Sequence, residues 1–240
     1  MHYLEFIRNL HVLLEPKTYF EIGVRNGASI TLSGCKSIGV DPAYDIKNPL
    51  PADTQLFRQK SDDFFATDAL EKALGPDKID LAFIDGWHNF EFALRDFLNT
   101  EQHCGGRSVI VVDDVRPRNE DEAVRIPHGR AWTGDVWKVS PCLQKYRPDL
   151  RLTHIGTIPT GLLMIEALDP LSRKLRNSMA EIESVYLDPD YPLMPPADFL
   201  ARFVTPAKAL ADLIARRATV VQEEADSGTV GKPNLRSNPT

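Results

Sequence analysis

Short runs of apolar residues alternate along the chain with polar or helix-like stretches, and this alternation indicates the fold. A short apolar run is typical of a strand that is buried on both faces of a parallel sheet. The strands predicted in this way are Thr18–Ile22, Ser37–Asp41, Thr54–Arg58, Ile79–Asp85 and Ser108–Asp113. Two later runs, Leu150–Ile158 and Gly161–Ala167, are joined so tightly that they predict an antiparallel hairpin.

Apolar residues at helical spacing predict the helices that cover this sheet. They span Tyr3–Leu14, Ser61 to about Leu74, Phe90–Leu98, Leu171–Tyr186, and Ala197 to about Gln222. The connection between the first two strands leaves room for a helix of only about two turns. Strands that alternate with helices predict an α/β fold with a mostly parallel seven-stranded sheet, an antiparallel C-terminal hairpin and added C-terminal helices.

A length of 240 residues fits one large α/β domain or two small ones. The pattern favours a single domain over residues 1–168, which includes the N-terminal helix and a long polar loop at 115–138. Residues 169–225 form a predicted helical extension, and the polar segment 226–240 is a predicted disordered tail. The late helices could complete a ligand cleft, or they could pair two chains in a homodimer.

Composition excludes several classes of function. A net charge of −6, with both signs mixed along the chain, gives no electrostatic footprint for nucleic acid or for an anionic membrane. No apolar run approaches the roughly 18 residues of a membrane span, and no signal peptide is visible. The three cysteines are widely spaced and form no metal-ligand pair or disulfide framework, so a reduced, cytoplasmic compartment is expected.

Acidic residues follow two of the predicted strands directly. Asp85 ends the fourth strand, with His88 close behind it, and Asp113 and Asp114 end the fifth. Ligands of open α/β sheets bind at the carboxyl ends of the strands, so these side chains should meet in one crevice. Three carboxylates and an imidazole predict a hard-metal site with a general base beside it. The alternatives are solvated strand-end acids and a histidine that caps the following helix.

A glycine-containing turn follows the first strand, at Gly23 and Gly27 after Glu21, and the second strand ends in Asp41. Glycines let the backbone approach a ligand, and an acid at the second strand end is placed to hold the hydroxyls of a ribose. The spacing differs from G-x-G-x-x-G and fits a mononucleoside better than a dinucleotide. An ordinary strand-to-helix turn is the alternative.

Two segments offer further ligand contacts. Ser61 and Asp62 could cap the helix that they begin, could border a purine, or could do both. The polar loop after Asp114 is long enough to be a functional lid. Its candidate substrate residues are Arg125, His128, Arg130, Trp132, Asp135 and Lys138. Thr133 or Asp135 could also cap the next helix, and the tryptophans could serve only to pack the loop down.

Taken together, four motifs resemble those of the class I S-adenosylmethionine-dependent methyltransferases, which have a Rossmann-like fold. The motifs are Phe-Glu-Ile-Gly-Val-Arg-Asn-Gly, Gly-Val-Asp-Pro, Phe-Ile-Asp-Gly-Trp-His and Gly-Gly-Arg-Ser-Val-Ile-Val-Val-Asp-Asp. Within that class the chain is similar to the metal-dependent O-methyltransferases that modify sugar hydroxyls of macrolides, and less so to the catechol type. The resemblance covers about Tyr19 to Ala167.

The resemblance implies a role for each site residue. Glu21 and the loop Gly23–Gly27, which includes Arg25, would hold the methionine part of S-adenosylmethionine, and Asp41 would hold its ribose. Ser61 and Asp62 would border the adenine. The implied Mg²⁺ ligands are Asp85, Asp113 and Asp114, and the implied general base is His88. Asp85 is also counted among the catalytic and cofactor-contacting residues.

The resulting hypothesis is Mg²⁺-dependent O-methylation of a hydroxyl on a sugar or a small diol or polyol. A metal-independent O- or N-methyltransferase is the first alternative, and a nucleoside-binding module without catalysis is the second. A nicotinamide-dependent oxidoreductase is disfavoured by the glycine spacing. The resemblance leaves the acceptor open, because loop residues rather than core motifs select it.

Overall fold

A single twisted sheet organises the computed structural model, which describes residues 1–228, with side chains as far as Thr219. The strands are β1 Thr18–Ile22, β2 Lys36–Val40, β3 Thr54–Phe57, β4 Ile79–Ile84, β5 Cys104–Val112, β6 Arg151–Ile155 and β7 Leu162–Glu166. Their order within the described residues is β3-β2-β1-β4-β5-β7-β6. The strands β1 to β5 are parallel, whereas β7 is antiparallel to both β5 and β6. The predicted fold class is therefore confirmed.

Helices cover both faces of this sheet. Their bounds are α1 Tyr3–Leu14, α2 Ser61–Phe65, α3 Ala69–Leu74, α4 Phe90–Glu101, α5 Glu120–Ala123, α6 Val139–Tyr146, α7 Lys174–Asn177, α8 Met179–Tyr186, α9 Ala197–Leu200 and α10 Pro206–Gly228. The apolar residues form two buried clusters, one on each face. Helices α2 to α4 and α6 to α8 contribute to one cluster, and α1 and α10 contribute to the other. Strand residues alternate between the two clusters, as the pleat requires.

The helix predicted from Ser61 to Leu74 is two helices, because Thr67 interrupts it. Its hydroxyl donates to the Phe64 carbonyl (2.8 Å) and accepts from the Ala69 N–H (3.3 Å). One side chain thus supplies hydrogen bonds to backbone groups at the end of α2 and at the start of α3, as threonine does near helix ends.

The predicted C-terminal helix from Ala197 to Gln222 is also interrupted. Val204 forms a β-bridge with Ile155 at the edge of the sheet, and α10 begins at Pro206, a residue suited to the first helical position. The predicted helix Leu171–Tyr186 is likewise divided, into α7 and α8.

Three smaller expectations are also wrong. The two-turn helix between β1 and β2 is one 3-10 turn, Ile30–Leu32. Strand β5 begins at Cys104 rather than at the predicted Ser108. The lid contains the short helix α5, which its charged sequence did not indicate.

The predicted C-terminal extension packs on both faces of the sheet. Ile182 and Tyr186 join the cluster beside α4, and Ala209 and Leu213 join the cluster beside α1. Most of the predicted tail, residues 229–240, lies outside the described residues. Among the described residues, no helix has both the length and the apolar character needed to cross a lipid bilayer.

A buried ion pair connects α4 to the region after α6. Arg147 is 1% exposed, and its guanidinium donates to both carboxylate oxygens of Glu101 at 2.7 and 2.9 Å. Asp149 also accepts from Arg147, and Glu101 accepts from the Asp169 N–H at 3.0 Å. These bonds satisfy both buried charges and connect three segments that are far apart in sequence.

Replacing Arg147 with methionine should lower the free energy of unfolding by about 3–5 kcal/mol, because Glu101 would stay buried without its partner. The matched control is Lys208→Met, which breaks an exposed pair with Asp212 (2.9 Å) and should cost at most about 0.5 kcal/mol. Urea unfolding of both variants measures the difference. Equal losses for the two variants would contradict the structural role assigned to Arg147.

Candidate functional site

The carboxyl ends of β1, β2, β4 and β5 open into a cavity of about 770 Å³. This volume lies in the range of sites for small molecules and cofactors. The sequence-predicted residues that line it are Gly23, Arg25, Asp41, Ser61, Asp62, Asp85, His88, Asp113, Asp114, Arg130 and Trp132. The sequence therefore located the cavity correctly, at the edge where parallel strands end.

Gly23 brings the loop after β1 against the end of β4. Its φ is +90°, and a Cβ atom built there would lie 1.8 Å from the carbonyl oxygen of Asp85. No side chain fits this contact, so glycine is required by space as well as by conformation. The contact fixes the glycine loop relative to the acidic residue at the end of β4.

Asp41 holds the loops that border the cavity. One carboxylate oxygen accepts from the Arg25 N–H at 2.7 Å, and the other accepts from the Ala43 N–H at 2.6 Å. Arg25 has a left-handed backbone with φ +51°, which turns its N–H toward Asp41. Each carboxylate oxygen can accept more than one hydrogen bond, so Asp41 can still bind a ligand while it holds the loops.

Ser61 and Asp62 line the cavity, but neither acts as the predicted helix cap. Lys60 occupies the N-cap position of α2 and makes no side-chain capping bond. Arg95 donates to both oxygens of Asp62, at 3.1 and 2.8 Å, and this bond lowers the pKa of Asp62. Asp62 therefore stays ionised and tethered to α4.

Glu21 lies beneath the glycine loop and outside the cavity lining. It is fully buried, and it accepts hydrogen bonds from the Tyr19 hydroxyl (2.6 Å) and the Ser29 hydroxyl (2.7 Å). Burial raises the pKa of Glu21 to about 8, although the two hydrogen bonds oppose this shift. Gly27 also lies outside the lining, with a φ of +82°. The structure thus places both residues in support of the loop.

His88 lies between two carboxylates at the bottom of the cavity. Its Nε2 is 3.2 Å from Asp85 Oδ1, and its Nδ1 is 3.0 Å from Asp114 Oδ2. Nδ1 is also 2.7 Å from the carbonyl oxygen of Trp132, whose ring stacks on the imidazole at 5.0 Å. Burial opposes the charged form, but Asp85 and Asp114 outweigh it and raise the pKa of His88 to about 9.

The two acidic residues that follow β5, Asp113 and Asp114, lie in different environments. Asp114 has a left-handed backbone (φ +61°), and its N–H donates to Asp113 Oδ1 at 2.8 Å. Burial raises the pKa of Asp114 to about 6, although the positive charge of His88 opposes this rise. Burial also raises the pKa of Asp113, and the negative charges of Asp114 and Asp85 raise it further. Among the described residues, one group of side chains could hold a metal ion. It consists of Asp85, His88 and Asp114, whose potential ligand atoms lie within 4.8 Å of one another. The predicted metal set had Asp113 in place of His88.

The predicted substrate residues separate into two groups. Arg130 and Trp132 line the cavity, and the Trp132 indole N–H donates to the Val124 carbonyl at 2.5 Å. The other four bind protein groups away from the lining.

These four residues each contact other groups of the protein. Arg125 pairs with Glu91 (2.7 Å) and with Asp135 (2.6 Å), and Lys138 is a buried neighbour of Asp135 (3.1 Å). His128 bonds the Asp121 carbonyl on the surface. Asp135 accepts from the N–H of Phe90, so it caps α4 rather than its own helix.

Several lining residues were missed by sequence reasoning: Tyr3, Lys60, Trp87, Phe92, Arg118 and Thr160. Tyr3 reaches the cavity because its N–H donates to the Ile158 carbonyl (3.0 Å), which docks the start of α1 beside the hairpin connection. Nothing local in the sequence indicates that contact. Trp87 lies between Asp85 and His88, so its place in the motif could have indicated it.

Comparisons with known proteins agree with this geometry. Residues 20–115 match the family described as a methyltransferase domain. The O-methyltransferase TomG of Streptomyces achromogenes, solved with S-adenosylmethionine, has a TM-score of 0.51 at 15% identity; the match covers 70% of this chain and 80% of that one. An O-methyltransferase from Bacillus cereus with S-adenosylhomocysteine has the same TM-score and coverages at 13% identity. At these identities, the structural likeness shows the fold. No curated protein sequence matches the chain.

The fold is that of the class I, S-adenosylmethionine-dependent methyltransferases, and the cavity lies where that class of sheet binds its ligands. The match of residues 20–115 to the methyltransferase-domain family, together with this fold, supports a methyltransferase enzyme.

The buried carboxyl of Glu21 makes stability depend on pH. Its pKa is about 8 in the folded protein and 4.5 in the reference state, so between these values the folded state retains a proton that the unfolded state releases. Stability should therefore fall as the pH rises from 5 to 8. Glu21→Gln removes this penalty, so its stability relative to the wild type should improve by roughly 2–4 kcal/mol across the window.

Urea unfolding at several pH values measures this effect. Glu5→Gln, the same substitution at an exposed carboxylate on α1, is the control for effects that do not depend on burial. A Glu21→Gln difference that stays constant with pH would mean that the buried carboxyl is ionised in the folded protein.

Proposed function

We propose that the protein transfers a methyl group from S-adenosylmethionine to a hydroxyl of a sugar or of another small diol or polyol, with the help of a divalent cation such as Mg²⁺. One observation carries the proposal. The cluster of Asp85, His88 and Asp114 lies in the same cavity as the glycine loop and Asp41. The group that would activate a hydroxyl therefore lies beside the groups that would hold a nucleoside.

Several residues in and beneath the cavity would bind S-adenosylmethionine. S-adenosylmethionine supplies an electrophilic methyl group on a sulfonium. The loop Gly23–Gly27 would hold its methionine part through backbone groups, with Arg25 at the cavity wall. Asp41 is already oriented by two backbone N–H groups and would accept from the ribose hydroxyls. Ser61 and Asp62 would border the adenine, and Glu21 would support the loop from beneath.

The donor set also fits a hard cation. Asp85, Asp113 and Asp114 are crowded together, with His88 between two of them, and the pKa values of Asp113 and Asp114 are raised. Carboxylates held this close repel one another, and a divalent cation would relieve that repulsion. Asp85 and Asp114 would hold the ion with Asp113 close behind. The ion would lower the pKa of a bound hydroxyl.

His88 is the proposed general base. The carbonyl of Trp132 can only accept, so Nδ1 carries the proton and Nε2 is the atom that can accept one. The carboxylates that raise the pKa of His88 are also the proposed cation ligands, so occupation of that set removes the cause of the raised pKa. His88 would then take the hydroxyl proton. Most of the rate enhancement would come from holding the two reactants in line.

Asp114→Asn tests the metal role without disturbing the backbone. Asparagine tolerates the left-handed conformation at this position and keeps the size of the side chain, so the variant changes mainly the charge. In calorimetric titrations of chelator-treated protein, S-adenosylmethionine should bind with an affinity within about threefold of the wild type. Mg²⁺-dependent transfer of labelled methyl to catechol or methyl α-L-rhamnopyranoside should fall by about 100-fold or more.

The control is Asp53→Asn, an equal charge change at an exposed site outside the cavity, which should leave both measurements unchanged. Transfer that persists in excess chelator and in Asp114→Asn would instead indicate a metal-independent methyltransferase. Cofactor binding without methyl transfer to any acceptor would indicate a nucleoside-binding module. No binding of S-adenosylmethionine in the wild type would overturn the proposal.

A further inference from the structure

Asp135 is a buried carboxylate with both oxygens engaged. It is 1% exposed and lies outside the cavity lining. Oδ1 accepts from the backbone N–H of Phe90 at 2.8 Å. Oδ2 lies 2.6 Å from the Arg125 guanidinium and 3.1 Å from the Lys138 ammonium. A buried charge is tolerated only when it is paired in this way, so the conformation of the lid around Asp135 is strongly determined.

The hydrogen bond to Phe90 matters because of where α4 begins. Phe90 is the first residue of the helix, two residues after His88, and its N–H would otherwise lack an intrahelical partner. The local N-cap residue, Asn89, makes no side-chain capping bond; its amide donates instead to the Arg125 carbonyl at 3.2 Å. The cap of α4 therefore comes from a segment 45 residues away.

The same segment contacts His88 at two further points. The Trp132 carbonyl accepts from Nδ1 at 2.7 Å, and the Trp132 ring stacks on the imidazole. Gly134 has a φ of +54°, and a Cβ atom there would lie 1.6 Å from the carbonyl oxygen of His88. Residues 132–135 thus contact the ring and backbone of His88 and the helix that follows it.

We propose that Asp135 is a positioning residue: by capping α4 and binding Arg125 and Lys138, it holds residues 132–135 in place, and these residues orient the His88 ring. The Trp132 carbonyl, the nearer of the two acceptors at Nδ1 beside Asp114 Oδ2, then keeps the proton on Nδ1, and Nε2 faces Asp85. The effect on turnover rests on the proposed function, whereas the orientation of the ring can be measured without it. Asp135 itself contacts neither of the reacting molecules.

Two readouts test the proposal on the full-length, chelator-treated protein. The first is the proton resonance of His88 Nδ1–H in protein labelled with ¹⁵N-histidine, assigned through its loss in His88→Gln. A ring N–H bonded to a partly buried carbonyl should give a downfield, slowly exchanging signal, and Asp135→Ala should abolish that signal. The second is methyl transfer to catechol and methyl α-L-rhamnopyranoside in the presence of Mg²⁺. There kcat should fall about 10–100-fold, while the Kd for S-adenosylmethionine stays within about threefold.

Glu91→Gln is the matched control. Glu91 is the other carboxylate on Arg125 (2.7 Å), but it does not accept the hydrogen bond from the Phe90 N–H. Glu91→Gln should therefore retain both the signal and kcat. Should Asp135→Ala fail to fold, Asp135→Asn takes its place: it keeps an oxygen for Phe90 and loses the charge that faces Arg125 and Lys138. The same changes are then expected, to a smaller extent.

Either readout can overturn the proposal. A wild-type Nδ1–H signal in Asp135→Ala, or in Asp135→Asn if only that variant folds, would show that Asp135 does not set the ring. Loss of the signal in Glu91→Gln as well would show a general loosening around Arg125. If even the wild type transfers no methyl group while Asp135→Ala alone loses the signal, the proposed reaction fails and the positioning role of Asp135 stands.

Discussion

Two close backbone contacts fix the segment from Asp85 to His88, and the arrangement of the site depends on them. Gly23 packs against the carbonyl of Asp85 from the side of β1, and Gly134 packs against the carbonyl of His88 from the lid. A Cβ atom at either glycine would overlap a carbonyl oxygen, so the separations are set by backbone atoms, which cannot adapt as side chains do. The positions of the glycine loop, the acidic cluster and residues 132–135 are therefore all fixed relative to this one segment.

Buried carboxylates occur in two different arrangements in this structure. At Glu101 and Arg147, and at Asp135, buried carboxylates are paired with cations and connect distant segments. In the cavity, Asp85 and Asp114 flank a single imidazole, and Asp113 is buried beside Asp114. The first arrangement stabilises the fold. The second places like charges close together, where protonation or a bound cation relieves their repulsion, and it is found where the chemistry is proposed to occur.

The parts of this structure that the sequence predicted are those governed by local pattern. Most of the parallel strands were found because they are buried on both faces, and Asp41, Asp85 and Asp113 line one cavity because parallel strands end at one edge. Helix interruptions such as that at Thr67 were missed because they depend on single side-chain bonds that periodicity does not register.

The polar loop at 115–138 was harder to predict for a physical reason. Its charged residues were expected to face a substrate, but Arg125, Asp135 and Lys138 pair with one another and with α4. Tyr3 joins the cavity through a backbone bond to Ile158. Such pairings join residues that are distant in the sequence, and one sequence gives no local signal for them.

The left-handed backbone of Asp114 has an evolutionary consequence. Few residues other than glycine, asparagine and aspartate adopt a φ of +61° at low cost, so this position accepts a narrow set of substitutions. Exchange between aspartate and asparagine changes the charge beside His88 by one unit and leaves the shape of the site almost unaltered. Divergence at this position would therefore adjust the electrostatics of the cavity and preserve its geometry, by a single mutation that leaves the sheet as it is.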